Sequence, residues 1–121
     1  PDKSRRRNPS PDDKRRIMTT VKKYGEAAKR VQAIGFDAIE IHCGHSYLMS
    51  QFISPYYNKR TDEFGGSVEN RLRFPRMVLE EVRKTSDRGS RSSFVSLPRS
   101  VFRAETHWKI PWNTWSTWMS S

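Results

Sequence analysis

The 121-residue chain holds a single cysteine, Cys43, so no intrachain disulfide can form. That usage suits a reducing compartment, and a cytoplasmic location is expected. No run approaches the roughly 18–20 apolar residues of a membrane span, and no secretory signal is visible. Glycine is scarce at six residues, and Gly65-Gly66, its one adjacent pair, reads as a turn rather than a phosphate loop. Apolar residues make up 34% and charged residues 30%, thin for a packed core. The first residue is proline rather than methionine, so the chain is expected to be processed or a fragment.

Charge, by contrast, is abundant. The net charge of +10 comes from 23 basic and 13 acidic residues and is spread along the chain. A basic chain can bind nucleic acid through phosphates, but Lys3 to Arg7 lacks the interleaved aromatics of a stacking platform. A solvated surface is the preferred reading. A small basic nucleic-acid-binding protein stays as the alternative, and salt-dependent DNA binding would mark it.

Three zones follow from composition. Residues 1–9 are polar and basic, and are expected to be disordered. Residues 10–84 are patterned. Residues 85–121 turn rich in serine, threonine and arginine and hold all four tryptophans.

In the patterned zone Ser10 can cap a helix, Pro11 suits its first position, and Asp12 and Asp13 favour its positive end. Ile17, Val21, Tyr24, Ala28, Val31 and Ile34 then share one helical face, and Gly35 supplies the stop. Gly25 weakens the middle by up to about 1 kcal/mol relative to alanine. Phe36 to His42 alternates as a short strand, with Ile39 and Ile41 on one face and Ala38, Glu40 and His42 on the other. Residues 48–66 read as a long loop. Ser67 can cap a second helix with Glu69 in its first turn and a stripe of Val68, Leu72, Leu79 and Val82. Pro75 predicts a kink or break near Arg71 to Pro75. Helix, strand, long loop, helix is the order of an α/β unit with a parallel sheet, and in α/β barrels function gathers where a strand ends. That place is His42 to Tyr47.

His42-Cys43-Gly44-His45-Ser46-Tyr47 admits three readings. As zinc ligands, His42, Cys43 and His45 crowd one ion, with no second ligand pair nearby, so no metal is expected. As a plain strand end, their polar groups would simply bond locally. As a substrate site, two imidazoles three residues apart can polarise one carbonyl oxygen, and Tyr47 can supply a proton as general acid. Cys43 is expected to be a small packing residue, since nothing near it in sequence would activate a thiolate.

Residues 24–84, about half the chain, closely resemble the Old Yellow Enzyme family of FMN-dependent NADH:flavin oxidoreductases, which includes 2,4-dienoyl-CoA reductases and ene-reductases. The matching stretches are Tyr24 to Arg30, Gly35 to His42, Gly44 to Phe52, Ser54-Pro55, Asn58 to Ser67 and Glu69 to Phe74. One departure is Ser46, where glycine is usual. The resemblance implies a fragment of a (β/α)₈ TIM barrel that binds FMN at the C-terminal ends of its strands. It also implies an oxidoreductase that reduces activated C=C bonds of unsaturated carbonyl compounds, with NAD(P)H reducing the flavin and hydride passing to the β-carbon. By the same resemblance His42 and His45 bind the substrate oxygen and Tyr47 protonates the α-carbon. Asn58 to Arg73 match scaffolding in which Arg60, Asp62, Glu69 and Arg71 pair to order the loop.

A complete barrel takes about 250 residues, and most of the family's flavin contacts lie outside this stretch. The chain alone is therefore expected neither to bind FMN tightly nor to reduce enones. Where the family should continue with a fifth strand, residues 85–121 lack any clear period, and they are expected to be a disordered, non-family tail. Reading the third base of each codon with the first two of the next, Thr106 to Met119 can encode Ser-Leu-Glu-Asp-Thr-Leu-Glu-Tyr-Val-Val-Asp-Val-Asp, an acidic amphipathic helix. The code forces its first Leu, both Glu and the final Asp, because tryptophan has one codon. A frame shift near Thr85 is the reading this suggests; intron read-through and a native exposed tail are its rivals.

Overall fold

A computed structural model describes residues 11–36 and 39–85. Ser10, the N-terminal segment, Asp37, Ala38 and the tail from residue 86 lie outside the described residues, as do the expectations made for them. Three helices are present among the described residues: α1 (Pro11–Ile34), α2 (Leu48–Ile53) and α3 (Val68–Thr85).

Helix α1 packs along α3, and α2 packs on α3 near its start. Of the stripe expected on α1, Ile17, Val21 and Ala28 are buried, while Ile34 at the end is exposed. Gly35, at φ +90°, ends the helix in the left-handed conformation that glycine adopts without a Cβ penalty. Gly25 costs helix propensity but serves the packing. A Cβ there would lie 2.8 Å from Glu81 Cγ and 3.1 Å from Thr85 Cγ2, so its absence lets α1 approach α3.

The expected strand over Phe36–His42 is not formed among the described residues. Ile39 to Gly44 carries no regular secondary structure, yet its burial alternates as a strand's would: Ile41 and Cys43 are buried, Glu40 and His42 exposed. A strand needs a neighbour to pair with, and no described segment lies beside this one as a ladder.

The long loop also needs correcting, because residues 48–53 form α2. Met49 and Ile53, one turn apart, are buried, and the Phe52 ring lies 4.4 Å from that of Phe74 on α3. This apolar spacing pulls the segment onto α3 as a helix, and no glycine or proline interrupts it.

Nor does Pro75 break α3, which runs from Val68 to Thr85. The proline removes one backbone hydrogen bond. Around it Leu72, Phe74, Pro75 and Val78 are all nearly inaccessible to solvent, and their burial offsets that loss. At the helix start the Asn70 N–H donates to Ser67 Oγ at 3.2 Å, the expected cap.

Between α2 and α3 the chain is closed by three side chains. Asn58 Nδ2 donates to the carbonyls of Phe52 and Phe64, each at 2.7 Å, and its Oδ1 accepts from the Arg60 N–H at 3.1 Å. Arg60 meets Asp62 as a fork, Nε to Oδ1 at 3.0 Å and Nη2 to Oδ2 at 2.6 Å. That hydrogen-bonded guanidinium holds the Asp62 carboxyl below its usual range. Arg71 donates through Nε to the Ile53 carbonyl at 2.8 Å and through Nη1 to the Gly66 carbonyl. The Arg60–Asp62 pair is thus as expected, whereas Arg71 uses its donors on two carbonyls instead of forming a hydrogen-bonded ion pair with Glu69. Gly65 makes the turn possible, since a Cβ there would sit 2.3 Å from the Arg60 carbonyl oxygen. Lys14 on α1 reaches Glu63 at 2.8 Å, an exposed pair worth little on its own.

Candidate functional site

Burial alternates along Glu40 to Cys43, leaving His42 in solvent and Cys43 in the core. At Gly44 the chain turns back. The Tyr47 N–H donates to the Gly44 carbonyl at 3.2 Å, and His45 and Ser46 take left-handed backbone conformations, at φ +53° and +58°. Two consecutive non-glycine residues in this region cost about 1–2 kcal/mol each. The usual glycine of the resembling family would relieve that strain at Ser46.

The turn brings the imidazoles together. His45 Nδ1 and His42 Nε2 face each other at 3.2 Å, with ring centroids 5.1 Å apart and planes 24° from parallel. The Tyr47 ring stands 5.4 Å from that of His42 at 60°. Tyr47 is the residue before α2, and its carbonyl accepts both the Gln51 N–H at 2.9 Å and the Ser50 hydroxyl at 3.1 Å. Its backbone is therefore held by the helix while its side chain remains 64% exposed. All three residues singled out in the sequence thus meet on one exposed turn.

This arrangement has a definite chemical capacity. With one proton between them, the facing nitrogens satisfy each other. When both carry a proton, neither can accept, and both N–H groups turn to a shared acceptor. A carbonyl or phenolate oxygen placed against the two nitrogens is such an acceptor. The Tyr47 phenol beside them can donate a proton to a carbon close to that oxygen.

Cys43 is 2% exposed, and burial pushes its thiol up to about 12. At pH 8 the thiol therefore stays protonated and unreactive. Iodoacetamide at pH 8 should label Cys43 only after denaturation; mass spectrometry showing alkylation of the folded chain would contradict the packing role. Among the described residues no group of three His, Cys, Asp or Glu could hold a metal ion.

Two site contacts carry little or no signal in the sequence. Gln51 Nε2 donates to the Ser46 carbonyl at 2.6 Å, and the Tyr57 hydroxyl lies 3.2 Å from Ser46 Oγ. Gln51 lies in a stretch where the sequence predicts loop, and nothing there points to a contact with Ser46. Tyr57 is eleven residues from Ser46, across a short helix where the sequence predicts loop.

The glycine pair is not arranged as a phosphate cradle: the Gly65 N–H already donates to the Asp62 carbonyl at 3.0 Å, and Gly65 is packed against the Arg60 backbone. No helix among the described residues is long and apolar enough to cross a membrane.

Comparison with known proteins follows the same lines. A family model described as the NADH:flavin oxidoreductase / NADH oxidase family matches residues 9–107. The chain is 49% identical over 72 residues to an NADPH dehydrogenase of Bacillus subtilis, a match covering 60% of this chain and 21% of that protein. An NADPH dehydrogenase of Clostridium acetobutylicum is 54% identical over 71 residues, covering 59% of this chain and 21% of the relative. Among solved structures, morphinone reductase in complex with tetrahydroNAD superposes with a TM-score of 0.61 at 37% identity, over 71% of this chain and 23% of that one. A 2-naphthoyl-CoA reductase gives 0.63 at 31% identity, over 71% and 13%. The chain therefore spans about a fifth of the length of the curated relatives it matches. With a family model matched over most of its length, the chain belongs to the NADH:flavin oxidoreductase / NADH oxidase family.

Proposed function

We propose that this chain is the substrate-side segment of an FMN-dependent NAD(P)H oxidoreductase with a (β/α)₈ barrel, acting on activated C=C bonds of small unsaturated carbonyl compounds. The observation that carries the reading is the exposed pair of facing nitrogens, His42 Nε2 and His45 Nδ1 at 3.2 Å, with the Tyr47 ring beside it. His42 and His45 hold the carbonyl oxygen and stabilise the negative charge that develops on it during reduction. Tyr47 delivers a proton to the α-carbon. The relatives' names support the cofactors: two are NADPH dehydrogenases, a third is a probable NADH-dependent flavin oxidoreductase, and morphinone reductase was solved with tetrahydroNAD. The flavin and nicotinamide sites belong to the rest of such an enzyme, and this chain's own part in the reaction is oxygen binding and proton delivery.

The test uses a full-length enzyme, Bacillus subtilis NADPH dehydrogenase, with residues 24–84 of this chain replacing its matching segment. His42→Ala should weaken binding of 4-hydroxybenzaldehyde about tenfold or more, read from the change in flavin absorbance on titration, because a hydrogen bond to a charged oxygen is worth about 1.5–3 kcal/mol. His45→Ala should do the same. Wild-type affinity in both variants would refute the oxygen-binding role.

A further inference from the structure

Tyr57 stands behind the His42–Tyr47 turn, and the role assigned to it rests on the reading of that turn as a carbonyl-binding site. Ser46 lies between His45 and Tyr47, and it shares with His45 a left-handed backbone that persists only where the surroundings over-determine it. Two of its restraints arise within the turn and α2: the Tyr47 N–H on the Gly44 carbonyl, and Gln51 Nε2 on the Ser46 carbonyl. A third comes from beyond α2, where the Tyr57 hydroxyl meets Ser46 Oγ at 3.2 Å.

Tyr57 is itself firmly based. The Tyr56 N–H donates to Ser54 Oγ at 3.2 Å, and the Asn58 N–H donates to the Ser54 carbonyl at 2.8 Å. Asn58, the next residue, bonds the carbonyls of Phe52 and Phe64. The Tyr56 ring meets that of Tyr57 edge-on, with centroids 5.0 Å apart. The phenol of Tyr57 thus ties the rigid loop around Asn58 to the one turn whose backbone aims His45.

We propose that Tyr57 is a positioning residue: through Ser46 it sets the separation of His42 Nε2 and His45 Nδ1, and so the affinity for the substrate oxygen. A rotation at the two left-handed residues swings the His45 ring, and hydrogen bonds weaken steeply with angle. The side chain of residue 46 is what makes this possible, because a glycine there would offer Tyr57 no hydroxyl.

In the grafted dehydrogenase, Tyr57→Phe keeps the ring and removes the hydroxyl. It should raise the Kd of 4-hydroxybenzaldehyde and the KM of cyclohexenone about three- to tenfold, the loss of one hydrogen bond. The value of kcat should stay within about twofold, and the Tm should be unchanged. Ser46→Ala should weaken binding at least as much, and the double variant should be no worse than Ser46→Ala alone, the signature of a shared contact. Additive losses, or an unchanged KM, overturn the proposal. If His42→Ala weakens binding and Tyr57→Phe does not, the positioning role alone falls; if neither does, the carbonyl-site reading falls with it. In the 121-residue chain itself, Tyr57→Phe should move the NMR signals of the His45 and Ser46 backbone and of both imidazoles, whereas Tyr56→Phe should not. Unmoved signals in Tyr57→Phe overturn the proposal whether or not the graft folds.

Discussion

Replacing Tyr47 with phenylalanine in the grafted dehydrogenase should slow enone reduction by about two orders of magnitude or more, the contribution expected of the general acid proposed above, and should leave its oxidation of NADPH close to wild type. The asymmetry follows from where the phenol stands. Its backbone is held by the Gln51 N–H and the Ser50 hydroxyl, and its ring lies 5.4 Å from His42, so loss of the hydroxyl alone should leave the turn's geometry intact. On the proposed reading the substrate oxygen should still find both imidazoles, so binding should change little, and only the proton donor at the carbon next to the carbonyl should be lost. Stopped-flow kinetics on the grafted dehydrogenase separates the two half-reactions. Equal slowing of both would mean that Tyr47 shapes the site rather than donating the proton, and no slowing of either would remove it from the mechanism.

The second large effect is on stability. Arg71→Met keeps most of the aliphatic stem of a side chain that is 7% exposed but withdraws the donors that serve the Ile53 and Gly66 carbonyls. The Ile53 carbonyl, left unpaired in a buried place, costs about 1–3 kcal/mol, whereas Gly66 is exposed and its carbonyl can turn to water. At about 4 °C per kcal/mol for a domain of this size, the melting temperature should drop by about 4–12 °C. Arg71→Lys should recover less than half of this, because a point charge cannot span both carbonyls as the guanidinium fork does. A Tm within about 2 °C of wild type for Arg71→Met, in thermal unfolding followed by circular dichroism, would show that these bonds contribute nothing net.

Much of this is readable in the residues themselves. The period of Ile17, Val21, Tyr24 and Ala28 specifies α1, and the Ser67 cap specifies where α3 starts, because both signals act within one or two helical turns. His42, His45 and Tyr47 can be picked out because imidazoles at such close spacing are rarely needed for packing. Burial of Cys43 follows from its place in the alternation. What stays hidden depends on contacts distant in sequence. Leu48 to Ile53 is helical because Phe52 meets Phe74 on α3. Pro75 is tolerated because its neighbours are buried on α3. Arg71 and Glu69 look like partners when only charge is counted, yet two carbonyls presented by a folded loop compete better for the guanidinium. The Phe36–His42 strand is legible as alternation, but a ladder requires a neighbouring strand that these residues cannot supply.

The loop between α2 and α3 is closed by bonds that are short in sequence. Asn58 reaches six residues back and six forward, and Arg71 reaches five and eighteen residues back. Closing such short circuits costs little chain entropy. The segment that follows the imidazole turn is therefore closed from within its own stretch of polypeptide. A stretch of this kind behaves as a cassette. It makes up only about a fifth of a relative's length, so the contacts that close it travel with a small piece of sequence.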